Sequence, residues 1–327
     1  GAFGVDIFFV ISGFVMAMSA RRFDGGAGAA RFLVQRYNRI APLFYLLSAV
    51  LFADLIRANV AYSPLEVFNT LAFIPWLDGT EYHWPIHYLG WTLAFEFVFY
   101  LVVGALIWAG RGRDAALLAL VLILLALIGF VADLPWMPWR MLTSPMMVEF
   151  ASGALLYVAF GRGWFDRSHG LWRALALASL FVLAWPVFSA TSLLADVGSR
   201  QFEYGGAALR LLWWGVPALA IVAAFLTLTV SSDGLVRRVA LAIGDATYSI
   251  YLTHLFVVRL AEEVIERTGA SPVLVAIGVV LVSPLVGVAC YRLVEAPLMR
   301  QGQRAITRWF GTRATGQQPA AGRSSGI

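Results

Sequence analysis

The chain has 327 residues, of which 60% are hydrophobic and 13% are charged. Soluble domains carry about 25% charged residues, so this composition argues against a soluble two-domain enzyme and indicates a polytopic helical membrane protein. The formal charge of +5 does not call for a nucleic-acid partner, because excess arginine in a membrane protein usually marks the cytoplasmic loops. The single cysteine, Cys290, can form no intrachain disulfide and belongs to no metal-binding cluster.

Nine apolar runs are long enough to cross a bilayer, which takes about 17–25 helical residues. The sequence therefore predicts an all-α fold, a polytopic transmembrane helix bundle. The run from 145 to 160 is short for a span. In chain order the runs lie at roughly 3–20, 40–58, 88–109, 115–132, 145–160, 172–189, 208–230, 242–260 and 272–293.

The placement of arginine predicts the orientation of these spans. Arginines cluster in the loops after spans one, three, five and seven and in the segment after span nine, whereas acids such as Glu262 and Glu263 offset them on the other side. By the positive-inside rule, the arginine-rich loops and the C-terminus are cytoplasmic. Nine spans then put residue 1 outside. This parity and the missing initiator Met predict one further span before Gly1, and ten in all.

Two segments outside the spans carry their own predictions. The loop from about 59 to 87 is the longest outer segment, and its Trp76, Trp84 and His87 fit either an aromatic belt at the membrane interface or an interfacial lid. Residues 300–327 are rich in Gly, Gln, Ser and Arg, so we expect a disordered, Arg-rich cytoplasmic tail after a membrane domain at 1–299. Arg304 and Arg308 of this tail are expected to contact anionic lipid headgroups.

Glu96 is an ionisable residue inside the third span. An ionisable side chain at the bilayer centre costs at least about 2.5–3.5 kcal/mol on insertion scales, so its presence needs a reason. Four-residue spacing puts Thr92, Glu96 and Tyr100 on one helix face, and the carboxyl group must then face the bundle interior. Glu96 is either the structural partner of an Arg or a His, or a site residue; we favour the site role.

Three more ionisable residues lie within the spans. Asp6, near the outer end of span one, is either a helix N-cap close to water or a site residue. Glu149, near the outer end of span five, is either a site residue or the partner of Arg140 in a structural ion pair. His254 lies near the middle of span eight beside two tyrosines, and it either packs through a hydrogen bond or lines the site.

Arg36 and Arg39 open the second span from its cytoplasmic side. They are either positive-inside anchors or a clamp for phosphate groups. Two arginines three residues apart share a helix face, and planar guanidinium groups match phosphate oxygens. The inner membrane face is also where a soluble phosphorylated cosubstrate would arrive.

Taken in order, these residues resemble the membrane-bound acyltransferase-3 family, especially its exopolysaccharide and O-antigen O-acyltransferases. The resemblance covers about residues 4–297, and no single motif decides it, but the ordered set is specific. The motifs are 4–14 (GVDIFFVISGF), 36–42 (RYNRIAP), 91–100 (WTLAFEFVFY), 149–153 (EFASG), 244–254 (GDATYSIYLTH) and 291–297 (YRLVEAP).

The resemblance implies ten transmembrane helices and transfer of an acyl group, usually acetyl from acetyl-CoA, to a sugar hydroxyl. It also implies an Arg and a catalytic His on the first helix, which has no counterpart among these residues. The partners would be acyl-CoA, a carbohydrate acceptor and membrane lipid, in the bacterial inner membrane, with no metal and no nucleic acid. We assign candidate catalytic roles to Glu96, His254, Asp6 and Glu149 and donor binding to Arg36 and Arg39.

Two other classes compete with an acyltransferase. Carboxylates and a histidine at the midplane also suit a proton-coupled transporter or flippase of glycan precursors, although the sequence shows no internal repeat and no paired broken helices. A purely structural membrane subunit explains neither Glu96 nor the ordered motifs.

Overall fold

The computed structural model describes residues 3–73, 83–165, 169–189, 200–228 and 234–311. Within these ranges all regular secondary structure is helical, which confirms the predicted all-α bundle. The helices are α1 (Gly4–Ala20), α2 (Gly25–Arg57), α3 (Pro64–Ala72), α4 (Gly90–Trp108), α5 (Ala115–Ala132), α6 (Met137–Leu142), α7 (Met147–Gly161), α8 (His169–Ser189), α9 (Tyr204–Arg210), α10 (Val216–Phe225), α11 (Leu235–Asp245), α12 (Thr247–Thr268), α13 (Pro272–Cys290) and α14 (Ala296–Phe310), with π-helical turns π1 (Leu211–Gly215) and π2 (Tyr291–Glu295).

Six helical units of the described chain are long and apolar enough to cross a membrane: α2, α4, α5, α6 with α7, α9 through α10, and α13 through α14. The pair α11 and α12, bent by 73°, makes a seventh when the two helices are counted as one span. Helix α1 and His169–Ala184 of α8 are shorter apolar helices. Each of the nine predicted runs falls on one of these units. Length alone supports only six or seven spans, because 17 residues of α1 cover about 26 Å of a ~30 Å hydrocarbon core.

Helix α2 begins well before the predicted span at 40–58. Asp24 caps it by accepting a hydrogen bond from the Gly25 amide at 3.0 Å. The helix has 33 residues, so it is about 50 Å long and projects beyond the hydrocarbon core. Arg36 and Arg39 therefore lie within a long helix rather than at the start of one.

The chain after residue 300 differs from the predicted disordered tail. Residues 300–310 continue α14 because that helix packs against α2: Ile306 is buried, and the Asn38 amide donates to the Met299 carbonyl at 3.2 Å. Residues 312–327 lie outside the described part of the chain, and their disorder stays a prediction.

The loop at 59–87 folds back onto the bundle where the structure describes it. Helix α3 is capped by a Ser63–Glu66 capping box, and the Phe73 ring after it stacks on Phe97 of α4 at 4.5 Å between centroids. Trp84 stacks on Tyr88 at 4.7 Å. The described part of this loop therefore packs on the bundle through aromatic side chains; the aromatic belt and the interfacial lid both stay predictions, and Pro75 and Trp76 lie outside the described residues.

Helices α1 and α7 run parallel with their backbones in contact. A Cβ atom at Gly13 would overlap the Phe150 carbonyl oxygen, and one at Gly153 would overlap that of Val10. Small residues at such positions let transmembrane helices approach closely. Phe99 of α4 stacks on Phe150 at 4.3 Å, so α4 joins this pair at the core.

Helices α2 and α4 pack antiparallel. Gly26 of α2 lies against Trp108 at one end of the pair, and Phe44 lies against Gly90 at the other. This register sets which side chains of the two helices share a depth in the bundle.

Candidate active site

Glu96 lies in the interior of the bundle, in the second turn of α4. Thr92, Glu96 and Tyr100 share one buried face, as predicted. The Ser12 hydroxyl of α1 donates to Glu96 Oε1 at 3.4 Å, and the Tyr100 hydroxyl donates to the same oxygen. The hydrogen-bond partners of this carboxyl are therefore hydroxyl groups, which leave its second oxygen, Oε2, for another contact.

Arg36 and Arg39 of α2 lie close to the depth of Glu96. Phe32, one turn before Arg36, packs edge-on against Tyr100, one turn after Glu96, with 6.1 Å between the ring centroids. Both guanidinium groups are near enough for their charges to act on the Glu96 carboxyl. A carboxyl and two guanidinium groups thus lie at similar depth in the bundle, without a direct hydrogen bond between them among the described contacts.

The two arginines are held differently. Arg39 forms an ion pair with Glu295 of π2, whose carboxyl also accepts a hydrogen bond from the Ser249 hydroxyl of α12 at 2.5 Å. The Arg39 guanidinium lies over the Tyr248 ring at 5.7 Å. Arg36 lies over the Phe32 ring, and its buried Nε has no hydrogen-bond partner among the described residues. Arg39 is therefore fixed by an internal carboxylate, and Arg36 keeps unused donor capacity.

A second polar cluster joins Asp6 of α1, Glu149 of α7 and Arg210 at the end of α9. The Arg210 guanidinium donates to both Asp6 oxygens, at 3.0 and 2.8 Å, and all three side chains are at most 1% exposed. The Glu149 carboxyl lies beside that of Asp6. Trp91 and Trp214 flank the guanidinium, with ring centroids 5.6 and 4.6 Å away. Two acids and one cation are thus enclosed by protein.

The contacts of this cluster rule out one structural alternative for each of the two acids. Asp6 is not a helix N-cap: Phe3 occupies that position, and Asp6 is buried in the ion pair with Arg210. Arg140 is not the partner of Glu149, because its guanidinium contacts Asp133 at 3.5 Å instead.

His254 of α12 lies apart from both clusters. Its Nδ1 is 2.5 Å from the Tyr251 carbonyl oxygen, and because a carbonyl oxygen only accepts, Nδ1 carries the proton. The other nitrogen, Nε2, is then an acceptor. The Tyr251 hydroxyl in turn bonds the Thr92 hydroxyl at 2.9 Å, one turn from Glu96.

Sequence reasoning missed Arg210 and Glu295 of these clusters, and a third buried polar residue, His87, outside them. Arg210 was visible as a lone arginine within the run at 208–230, and Glu295 belonged to the closing motif, yet neither pairing is readable from spacing. His87, treated only as a loop residue, is fully buried, with Nε2 3.2 Å from the Leu252 carbonyl and Nδ1 without a partner in the described structure. Burial lowers the pKa of His87 to about 4 and keeps the ring neutral.

Nothing in the described ranges resembles a metal centre: no three His, Cys, Asp or Glu side chains there are grouped to hold an ion. The groups available for chemistry are the buried carboxyl of Glu96, the acceptor nitrogen of His254 and the guanidinium of Arg36, which has an unused donor.

Comparison with known proteins extends over nearly the whole chain. A family model described as "Acyltransferase domain" matches residues 1–292. The exopolysaccharide production protein ExoZ of Rhizobium meliloti (strain 1021) is 30% identical over 323 residues, which cover 96% of this chain and 95% of that protein.

Two more distant relatives are named as an acyltransferase and a putative acetyltransferase. Acyltransferase MdmB of Streptomyces mycarofaciens is 24% identical, over 98% of this chain and 86% of that protein. The putative acetyltransferase ORF330 of Acidianus two-tailed virus is 24% identical, over 92% of this chain and 81% of that protein. No solved structure matches the chain. With the bundle of apolar helices and the polar clusters inside it, these matches show that the chain is an enzyme belonging to the membrane-bound acyltransferase-3 family.

Proposed function

We propose that this enzyme moves an acyl group, expected to be acetyl, from acyl-CoA to a hydroxyl of an exported polysaccharide or lipid-linked glycan. The relative named for exopolysaccharide production supports a carbohydrate acceptor, and the one named a putative acetyltransferase supports acetyl transfer. The observation that carries the proposal is the buried Glu96 carboxyl, which is held by hydroxyls close to the depth of Arg36.

Arg36 is the proposed main contact for the phosphate groups of the donor. Guanidinium groups bind phosphate oxygens with paired donors, and the buried Nε of Arg36 is unused among the described residues. Arg39 shares its charge with Glu295, so its role in the proposed clamp is smaller than that of Arg36. A donor bound there would present its thioester toward Glu96.

In the proposed reaction the acceptor hydroxyl oxygen attacks the thioester carbonyl carbon. Glu96 accepts the hydroxyl proton, the C–S bond breaks as the C–O bond forms, and the departing CoA thiolate takes up the proton. The products are the acyl ester and CoA thiol, so no other reactant is needed. Ser12 and Tyr100 orient the carboxyl through Oε1 and leave Oε2 for the acceptor.

The remaining candidates have supporting roles in this proposal. Nε2 of His254 lines the path of the acceptor, because Tyr251 on the same helix reaches Thr92. Asp6 pairs with Arg210 and Glu149 lies beside Asp6, so we assign these two acids the positioning of α1, α7 and α9 around the site.

The proposed location is the bacterial inner membrane with the C-terminus in the cytoplasm. The arginine-rich connections support this orientation. In it, the N-terminal part of α2 with Arg36 faces the cytoplasm, where acyl-CoA is dissolved, and the start of α4 faces outside. The acyl group would then pass into the bundle from one side and meet its acceptor from the other.

Acyl-CoA with an isotopically labelled acyl group tests this function. Membranes containing the protein, given the labelled thioester and the host's deacetylated exopolysaccharide, should place label on the polysaccharide as a base-labile ester. Membranes without the protein, and labelled free acetate in place of the thioester, should not. A transporter would alter glycan export and leave the polysaccharide unlabelled, which would contradict the proposal.

A further inference from the structure

An open groove lies between the C-terminal part of α2 and the second half of α12. Its volume is about 490 Å³, within the roughly 300–1,000 Å³ of ordinary ligand pockets. Leu51 and Phe256 contribute apolar walls, and Asp54, Arg57 and Arg259 line the groove with charged groups. An aromatic wall with a few convergent polar groups is the usual composition of a small-molecule site.

The groove opens to water rather than to lipid. The last turn of α2 carries two charged side chains, Asp54 and Arg57, which mark the end of that helix that faces water. Residues 259–267 of α12 carry five charged side chains, which would be costly inside the bilayer. The side chains of Asp54 and Arg259 are 68% and 45% exposed. In the proposed orientation this water lies outside the cell.

The charges of the groove cancel. Two arginines, Arg57 and Arg259, and two carboxylates, Asp54 and Glu263, line it, and Glu263 also pairs with Arg267 on the same helix. The Asp54–Arg259 ion pair is long, at 3.8 Å, so its donors and acceptors are open to exchange with a ligand. A balanced set of guanidinium donors and carboxylate acceptors matches hydroxyl groups, which both donate and accept, better than it matches a phosphate or nucleotide.

The inner wall of the groove leads toward the proposed site of chemistry. The Phe256 ring packs against the His87 ring at 6.1 Å between centroids. Four residues earlier on α12, the peptide carbonyl of Leu252 contacts His87, and the neighbouring Tyr251 reaches Thr92 through its hydroxyl. Thr92 is one turn, about 6 Å, from Glu96. The groove is therefore linked through His87 and α12 to Thr92, which lies one helical turn from Glu96.

We propose that this groove binds a neutral glycosyl unit of the carbohydrate acceptor and so sets the affinity of the enzyme for that substrate. The sugar hydroxyls would bond Asp54, Arg57 and Arg259, and its apolar face would pack on Phe256. This inference rests on the proposed function, because it assigns the acceptor to one side of the same bundle.

The test is the double variant Asp54→Asn, Arg259→Gln, which removes the groove's ion pair without changing net charge. The probe is a tritiated oligosaccharide released from the host's exopolysaccharide and deacetylated with mild base. The double variant should raise the KM for this acceptor roughly tenfold or more, while KM for acyl-CoA and kcat at saturating acceptor stay unchanged. Direct binding of the tritiated probe should weaken by the same factor.

The matched control is Arg111→Gln, Asp114→Asn, an exposed ion pair between α4 and α5 at the opposite end of the bundle. It should leave both KM values unchanged. An unchanged acceptor KM in the groove variant, or a rise in donor KM of equal size, would overturn the inference. If wild-type protein transfers no label, the proposed function fails, and probe binding by wild type against the groove variant still decides whether the groove holds a sugar.

Discussion

The Arg210 guanidinium donates two hydrogen bonds to the Asp6 carboxylate, from Nε to Oδ1 at 3.0 Å and from Nη2 to Oδ2 at 2.8 Å. The pair joins residues 204 positions apart, and neither side chain is more than 1% exposed. Removing one partner of a buried pair leaves an uncompensated charge, and here Glu149 adds a second acid beside it.

Arg210→Ala should therefore lower the free energy of unfolding by about 3–5 kcal/mol. Denaturant titration in detergent micelles, followed by far-UV circular dichroism, measures this loss. The control is Arg200→Ala, which breaks the exposed Arg200–Glu203 pair and should cost about 0–1 kcal/mol. Equal losses in the two variants would show that the buried cluster does not stabilise the fold.

The absence of a side chain at Gly153 allows α1 and α7 to pack closely. A methyl group there would overlap the Val10 carbonyl, so Gly153→Ala should separate the helices and lower the unfolding free energy by about 1–3 kcal/mol. Gly161→Ala at the end of α7 is the control, since an added Cβ there meets nothing within 4 Å. The same titration compares them. A Gly153→Ala protein as stable as the Gly161→Ala protein would refute the close packing.

Features that depend on neighbouring residues in the sequence could be predicted, whereas features that depend on contacts between distant residues could not. The run at 115–132 coincides with α5, and the inward face of Glu96 follows from four-residue spacing, because both depend on local periodicity. The start of α2 was missed because residues 25–39 are not uniformly apolar; they form helix with support from α4 and α14, which are distant in sequence.

Pairings across the bundle lie beyond such reasoning. Asp6 with Arg210, and Arg39 with Glu295, depend on which helices become neighbours, and span periodicity carries no information about that. The same limit explains why Arg140 was considered for Glu149. The candidate residues were identified from their chemistry, whereas their grouping into two clusters required the fold.

The buried His87 makes stability depend on pH. Burial lowers its pKa to about 4, from roughly 6.5 in the unfolded chain, and the nearby positive charge of Arg259 acts in the same direction. The unfolded chain therefore takes up a proton at higher pH than the folded protein does. The stabilising contribution is complete above pH ~6.5 and is lost, up to roughly 3 kcal/mol, as the pH falls toward 4.

The unfolding free energy of wild type and His87→Gln, measured between pH 7 and 4, checks this dependence. The glutamine amide can still donate to the Leu252 carbonyl but does not titrate. The variant should lose less stability over this range than wild type. Parallel pH profiles would mean that His87 is not the responsible group.

Arg36 should govern the affinity for the donor. Arg36→Ala removes a guanidinium group with an unpaired buried Nε, and we expect the KM for acyl-CoA to rise roughly tenfold or more, with the acceptor KM unchanged. The exposed Arg111→Ala is the control and should leave the donor KM as it is. An Arg36→Ala enzyme with the wild-type KM for acyl-CoA would show that Arg36 does not bind the phosphate groups of the donor.

The kcat of Glu96→Gln in the labelled acyl-CoA assay measures whether Glu96 takes part in the acyl transfer. Glutamine keeps the size of the side chain and can still bond the hydroxyls of Ser12 and Tyr100, but it accepts no proton. We expect a kcat about 10²–10⁴-fold lower, with unchanged thermal unfolding and a smaller loss of kcat for Tyr100→Phe. A Glu96→Gln enzyme that transfers label at the wild-type rate would contradict this expectation.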